Sequence, residues 1–509
     1  MVSPRGPLTA TFTLPIDNTA LAGATTLDYV SPTNSINYSP THMATGNTLT
    51  ATPASPLALL APIRWRLQTS LRSTGGQALP SPVVVNFTTR DGIWSSPLPV
   101  ETGVETAQAP AVALGFFGSG LVVFQQPNAN GHRHPFAARF NGATSLVEAP
   151  IDLIAGTNTA LFPTVAASSS TTAMVGWLEA SGSFDLNPVV RRYAFGSNTF
   201  APPVTLDASP NPVSFLALAM DDSGNGAAVY RQSQSTSSSA PSDCWVSRYS
   251  GATDTWSTPA LLETGVADCS SLALNSDSDG NLTVAFAQGS DLFVTQRSVG
   301  SATWTTPLNL ESRPGPVQLR RVLSGTSPVS LVWVVWLQED SAWARSYSPL
   351  TNSWDAAPFD LDGINTNRPT AEVAISTAPT LGAVVVFTQP DTVGALTRSA
   401  FATHFTTNWS TPVPIETLAG TVTDPQVVLS VTGPAMASFA GSSSFGARLE
   451  TWSARFDGSS WAAPVQRSMS PVASNSAMRL TVDGAGRVLG VWEYADTITS
   501  TSIYFSRFE

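Results

Sequence analysis

A polar side chain recurs along this chain at a fixed distance from an aromatic residue. It lies two positions after the aromatic residue that ends an apolar segment, at Gln126, Glu179, Gln232, Gln288, Gln338 and Gln389. A spacing of two places both side chains on one face of a strand. Amide and carboxylate groups at such equivalent positions can hydrogen-bond sugar hydroxyls, with one site per repeat. They can also bond a neighbouring backbone, because a buried polar group needs a partner. The sequence leaves both interpretations open.

Two histidines and one acidic segment are the candidates for a metal site. His132 and His134 alternate in the segment GHRH, but a zinc site needs a third protein ligand, and none is evident. Segment 277–281 (DSDGN) looks like part of a calcium loop, yet it lacks the Gly-x5-Glu continuation, which favours a tight turn. We therefore predict no metal and no cofactor, with calcium as the alternative. The two histidines stay candidates for ligand binding.

Catalytic groups give a weaker signal. A glycosidase needs two facing carboxylates, and a hydrolase needs a serine–histidine–acid set or a nucleophile elbow. The carboxylates here are scattered, and the four histidines do not assemble such a set. We expect a binding protein rather than an enzyme. A glycoside hydrolase or polysaccharide lyase with its site on a central axis remains the alternative.

A period of 48 to 56 residues sets the architecture. The anchors are Trp-x-x-Pro segments and close variants, at Trp94, Leu146, Phe200, Trp256, Trp304, Trp354, Trp409 and Trp461. Such a period indicates one repeated supersecondary unit. Each unit reads as four short strands, and the strongest strand is often apolar on both faces, as in a strand covered on both sides. We predict an all-β chain in which residues 91–509 form a β-propeller of eight blades, with seven as the alternative.

The ends of this repeat predict how the ring closes. The chain ends after the third strand of a unit, whereas the first anchor strand has no strands before it in its own sheet. We therefore expect the last blade to combine three C-terminal strands with one N-terminal strand. The repeated tryptophans can stack on sugars, but they more often pack between blades, because a large aromatic side chain buries much apolar area.

Loops of variable length lie on one face of the predicted propeller. They span residues 125–134, 232–243, 389–396 and 441–445, where a second strand leads to a third. Because strand direction alternates, each loop that leads into a new blade lies on the same face, which we call the top face. Variable loops on a constant scaffold are typical of binding surfaces, although drift in exposed loops gives the same pattern.

Residues 1–90 differ in composition from the repeats. Phe12, Pro15 and Asp17, the segment TLTATPASPL at 48–57 and the closing FTT at 87–89 resemble the bacterial Ig-like domain of S-layer-type proteins. The resemblance implies a seven-stranded β-sandwich and an extracellular, surface-attached protein. The repeats resemble sialidase-like and fucose-lectin-like propellers more loosely. The segment DGSSW at 457–461 keeps the Gly-x-x-Trp spacing of the sialidase motif but has its aspartate one position too close.

The composition and the two cysteines limit which partners and which cellular compartment this protein can have. Only 12% of the 509 residues are charged, the net charge is −11, and no basic stripe is present, so we expect no nucleic-acid partner. No apolar stretch is long enough for a membrane span. Cys244 and Cys269 begin strands at the same face of adjacent predicted blades, which predicts a disulfide and an exported protein. No signal peptide is visible at the N-terminus.

These observations lead to one functional prediction with two alternatives. We expect a monomeric bacterial surface or secreted protein in which an Ig-like spacer presents a propeller, and the top face of the propeller binds a glycan or a protein. The alternatives are the axial enzyme described above and a structural module of a surface assembly.

Overall fold

The structure is a computed structural model that describes residues 2–21, 23–30, 37–101, 106–168, 171–180, 185–237, 239–263, 267–311, 313, 315–324, 331–363, 368–378, 382–468, 470 and 472–509. These residues form antiparallel β-sheets and one short 3-10 helix, Asn18–Ala20. The prediction of an all-β chain is confirmed.

The N-terminal region contains two three-stranded sheets that share one core. One sheet has the order β1-β4-β3 and the other the order β2-β5-β6, and the strands are β1 Leu8–Thr11, β2 Thr25–Tyr29, β3 Thr41–Thr45, β4 Thr48–Thr52, β5 Pro62–Leu67 and β6 Val83–Thr88. Leu27, Leu49, Ile63 and Trp65 are buried between the sheets. Leu59 joins a separate cluster with Met436, Val488 and Phe508, so this region packs on the C-terminal strands of the chain.

The repeats form eight consecutive sheets among the described residues. The strands of the first four sheets are β8 Gln108–Leu114, β9 Gly120–Pro127, β10 Arg133–Asn141, β11 Leu146–Val147 and β12 Ile151–Asp152; β13 Ala160–Ala167, β14 Thr172–Ala180, β15 Leu186–Ala194, β16 Thr199–Phe200 and β17 Val204–Thr205; β18 Val213–Met220, β19 Gly226–Ser233, β20 Ser242–Ser250, β21 Thr255–Trp256 and β22 Ala260–Leu261; β23 Cys269–Ser276, β24 Leu282–Gln288, β25 Asp291–Arg297 and β26 Leu308–Glu311.

The strands of the remaining four sheets are β27 Gln318–Ser324, β28 Val332–Gln338, β29 Ser341–Ser348, β30 Ser353–Trp354 and β31 Phe359–Asp360; β32 Glu372–Ala378, β33 Gly382–Pro390, β34 Arg398–Phe405 and β35 Val413–Pro414; β36 Val422–Leu429, β37 Ala435–Gly441, β38 Glu450–Phe456 and β39 Val465–Ser468; β40 Arg479–Val482, β41 Val488–Ala495 and β42 Thr501–Phe508. The strand β7 Leu98–Pro99 pairs with β42, and Trp94 bridges Phe508.

The first strand of each sheet contacts the first strand of the next, and β40 also contacts β8. Each second strand is therefore covered on both faces, and its aromatic residue is fully buried, as at Phe124, Trp177 and Trp336. Sheets packed face against face in this order define the β-propeller fold.

The anchor tryptophans pack against the aromatic residue that ends the third strand. Trp256 lies 5.3 Å from Tyr249, and Trp461 lies 5.3 Å from Phe456, between ring centroids. The proline three positions after the anchor lies outside the ladder, and several outer strands are accordingly split into two short segments, such as β21 and β22. These contacts give the tryptophans a packing role at the edge of each sheet.

Candidate binding site

The six recurrent polar residues lie at the top-face ends of the second strands. Five of them bond the loop that leads into the first strand of their own sheet. These bonds join Glu179 to Asn158 (3.0 Å), Gln232 to the Asn211 carbonyl (3.2 Å), Gln288 to the Ala267 carbonyl (2.9 Å), Gln338 to the Arg313 carbonyl (2.8 Å) and Gln389 to Thr370 (2.9 Å). Oε1 of Gln126 is buried and has no hydrogen-bond partner in the described part of the chain. The shared role is structural, and ligand binding by these residues stays a prediction.

An acidic residue recurs at a position that the sequence analysis missed. It lies seven residues after the anchor, or eight after Trp354, at Glu101, Asp207, Glu263, Glu311, Asp362 and Glu416. Several of these carboxylates accept the N–H group of a third-strand residue: Ile503 for Glu101, Cys244 for Glu263, Ala342 for Asp362 and Ala400 for Glu416. Two features of the sequence could have revealed this acid: its nearly constant distance from the anchor and the aliphatic residue directly before it.

The two recurrent positions meet where one sheet packs on the next. The acid follows the outer strand of one sheet, and the amide ends the second strand of the following sheet. Between the second and third sheets, Nε2 of Gln232 donates directly to Asp207. Each of the two side chains has a partner, so this junction is closed.

The junction between the fifth and sixth sheets is open. A pocket of about 230 Å³ lies there on the top face, lined by Glu339, Asp340, Ser341, Asp362, Arg368 and Gln389. Thr370 separates the acid from the amide: Nε2 of Gln389 donates to Oγ1 of Thr370 (2.9 Å), which donates to Oδ2 of Asp362 (2.6 Å). Among the described residues, Oε1 of Gln389 and Oδ1 of Asp362 have no hydrogen-bond partner, although each residue is only 2% exposed.

A buried acceptor without a partner is expensive, since it has lost water and gained no hydrogen bond. Burial raises the pKa of the Asp362 carboxyl to about 7. The adjacent Asp360 carboxyl adds to this rise in pKa, because it can hydrogen-bond the protonated form of Asp362 and its negative charge repels the ionised form. The two unpartnered oxygens therefore lower the stability of this junction as it stands.

The turn beside the pocket is also strained. Glu339 and Asp340 connect β28 to β29 with φ values of 51° and 61°, in the left-handed region. The matching turn of the fourth sheet places Gly289 there, with φ 64°. Glycine adopts this region freely, whereas a side chain costs roughly 1–2 kcal/mol. The strained turn carries two carboxylates to the rim of the pocket.

In the part of the chain that the structure describes, neither candidate histidine belongs to a group of three potential metal ligands within 4.8 Å of one another. His134 is buried, and its Nδ1 lies 2.8 Å from Asp152, which fixes the ring at the top face of the first sheet. The backbone N–H of the half-buried His132 donates to Asn128. In segment 277–281, the Asp277 carboxylate is bonded by the Asp279 and Asn281 N–H groups, which is the geometry of a tight turn. Calcium binding is left as a prediction.

The predicted disulfide between Cys244 and Cys269 is present, with a Cα–Cα distance of 5.9 Å. Both oxygens of Glu263 accept the Cys244 N–H group, and burial raises the pKa of Glu263 to about 7. Among the described residues, Cys244, Glu263 and Cys269 form the one group of three potential metal ligands within 4.8 Å of one another. The disulfide engages both sulfur atoms.

Charged groups near the starts of the first strands join neighbouring sheets. Glu493 accepts the Ala109 N–H group (2.7 Å), Glu372 accepts the Asp424 N–H group (2.8 Å), and Arg479 pairs with Asp424 (2.8 Å). These charges already have protein partners, so the axial position of an enzyme site gains no support from them.

No protein-family model matches the chain, and no curated protein sequence matches it. Solved structures give weak likenesses. Hadza microbial sialidase Hz136 is 11% identical over 87% of this chain and 95% of its own, with a TM-score of 0.38. The β-propeller domain of the Trilobed protease from Pyrococcus furiosus is 8% identical over 72% and 98%, with a TM-score of 0.43. Polysaccharide lyase Uly1 is 9% identical over 78% and 89%, with a TM-score of 0.43. These likenesses are too weak to bear on function.

Within the described part of the chain, no helix is long and apolar enough to cross a membrane.

Proposed function

We propose that this protein is an extracellular or cell-surface carbohydrate-binding protein whose site is the pocket between the fifth and sixth sheets. The observation that carries the proposal is the pair of buried, unpartnered oxygens, Oδ1 of Asp362 and Oε1 of Gln389, at one pocket. Sugar hydroxyls are donors that such oxygens accept. The pocket is polar and smaller than a cleft for a drug-sized ligand, which favours a single sugar residue over an apolar protein anchor.

The proposed scaffold is a closed propeller of eight blades preceded by an Ig-like spacer, acting as a monomer. The pairing of β7 with β42 and the contact of β40 with β8 support closure. Two three-stranded sheets around one core support a sandwich at the N-terminus. A disulfide supports export, since disulfides persist in oxidising compartments.

A glycan array with the complete chain tests the proposal. It compares the native protein with Gln389→Ala and with a matched control, Gln288→Ala, which removes the equivalent amide from the junction of the third and fourth sheets. We expect reproducible binding to one sugar class. Gln389→Ala should weaken it at least tenfold, about 1.4 kcal/mol, whereas Gln288→Ala should leave it unchanged.

Circular dichroism of each variant checks that the fold is retained. A blank array contradicts the proposal. Equal binding by a folded Gln389→Ala variant would place the binding surface elsewhere and overturn this site.

A further inference from the structure

We infer that the pocket between the fifth and sixth sheets selects sugars with a free, positively charged amino group over neutral and acidic sugars. This inference rests on the proposed function, and it adds the class of sugar. Three features carry it: the direction of the hydrogen bonds, the occupied guanidinium of Arg368 and the charge of the lining.

The direction of the hydrogen bonds is fixed by the relay through Thr370. The Thr370 hydroxyl lies 2.6 Å from the Asp362 carboxylate, to which it must donate. It therefore accepts from Gln389, and only the amide nitrogen can donate there. The carbonyl oxygen of Gln389 is consequently the free atom, and above the raised pKa of Asp362, about 7, the free atom of that residue is a carboxylate oxygen. Both vacant positions require donors from the ligand.

The one cation of the lining is already engaged. Nη1 of Arg368 donates to the Pro390 carbonyl (3.2 Å) and the Asp391 carbonyl (3.0 Å). Its guanidinium also lies over the Phe401 ring, 5.3 Å from the centroid. A ligand carboxylate or sulfate would have to compete with these contacts for Arg368.

The charge of the lining favours a cation. Glu339 and Asp340 contribute two carboxylates against the single guanidinium of Arg368, and Asp362 contributes a third above its raised pKa. An ammonium group supplies three donors and a compensating charge to these acceptors. An acidic sugar meets like charges, which oppose binding.

A metal ion fits the pocket less well than an ammonium group. Calcium takes six to eight oxygen ligands. Within the described residues, no three carboxylate or imidazole groups of this pocket have ligand atoms within 4.8 Å of one another. An ammonium group with neighbouring hydroxyls can span the more widely separated acceptors.

Isothermal titration calorimetry of the complete chain tests the inference. The ligands are β-1,4-linked glucosamine oligomers, their N-acetylated counterparts, glucose oligomers of equal length, glucuronate-containing oligomers and a lysine-rich peptide. We expect at least tenfold tighter binding of the glucosamine oligomers than of the other sugars. Asp362→Asn should reduce this preference to within about threefold, because it removes the charge and keeps the shape.

Asp207→Asn at the closed junction is the matched control. The net charge of −11 attracts any polycation, and each of the two variants removes one negative charge. A preference lost in both variants, or in neither, reflects general attraction and overturns the inference. Equal or tighter binding of N-acetylated or acidic oligomers overturns it while the proposed function stands. Binding of the peptide alone, or of no sugar, overturns both.

Discussion

At the closed and the open junction, an acid and an amide occupy the same two repeat positions but make different contacts. Between the second and third sheets, Asp207 and Gln232 bond each other. Between the fifth and sixth sheets, Thr370 stands between Asp362 and Gln389, and each residue keeps an oxygen without a partner. The difference teaches that one interposed hydroxyl decides whether the acid and the amide of a junction bond each other directly. In the proposed function, a ligand would supply the hydrogen bonds that the open junction lacks.

The junction between the third and fourth sheets provides the strongest test of what holds two sheets together. Replacing Cys244 and Cys269 by serine removes a cross-link that closes 25 residues of chain. We expect a loss of about 3 kcal/mol in the free energy of unfolding, because the unfolded chain regains loop entropy. Urea denaturation measures it. Glycan binding at the fifth–sixth pocket should be unchanged, and a parallel loss of binding in the folded variant would show that the junctions are coupled.

Removing the acid should have opposite effects at the two junctions. Asp207→Ala leaves the buried amide of Gln232 without its carboxylate, and we expect a loss of about 2 kcal/mol in stability. Asp362→Asn should raise stability by about 1 kcal/mol at pH 8, because the amide removes the cost of burying a charge as well as the repulsion with Asp360.

The pH dependence identifies the cause. The pKa of Asp362 is higher in the folded chain than in the unfolded chain. The native side chain therefore contributes its full stability below the pKa of the unfolded chain, and this contribution is lost as the pH rises through the pKa of the folded chain. The gain from Asp362→Asn should therefore shrink on acidification. Thermal unfolding at several pH values measures it, and a gain that persists at pH 4 would contradict the interpretation.

The turns of the fourth and fifth sheets provide the smallest expected effect. Glu339→Gly relieves a left-handed side chain, and we expect a gain of roughly 0.5 kcal/mol after the entropy of glycine is subtracted. Gly289→Ala places a side chain in the same conformation and should lose about 1 kcal/mol. Melting temperatures of both variants test the pair. A loss for Glu339→Gly would mean that its side chain stabilises the turn.

Much of the fold followed from local pattern. The spacing of the anchors, the apolar second strands and the prolines at the sheet edges all depend on neighbours a few residues apart. The cysteine pair was also predictable, because both residues lie near the starts of strands at the same face of adjacent blades.

The site was only half predictable. Gln389 was identified from its spacing to an aromatic residue, but Asp362 was missed together with the other acids that recur seven or eight residues after the anchors. No pattern in either repeat predicted that Thr370 would lie between Asp362 and Gln389. The sequence alone determined the repeat, the strand order and the polar positions, because these are periodic. Only the tertiary structure decided which junction is closed and which is open, since that depends on contacts between loops of two different sheets.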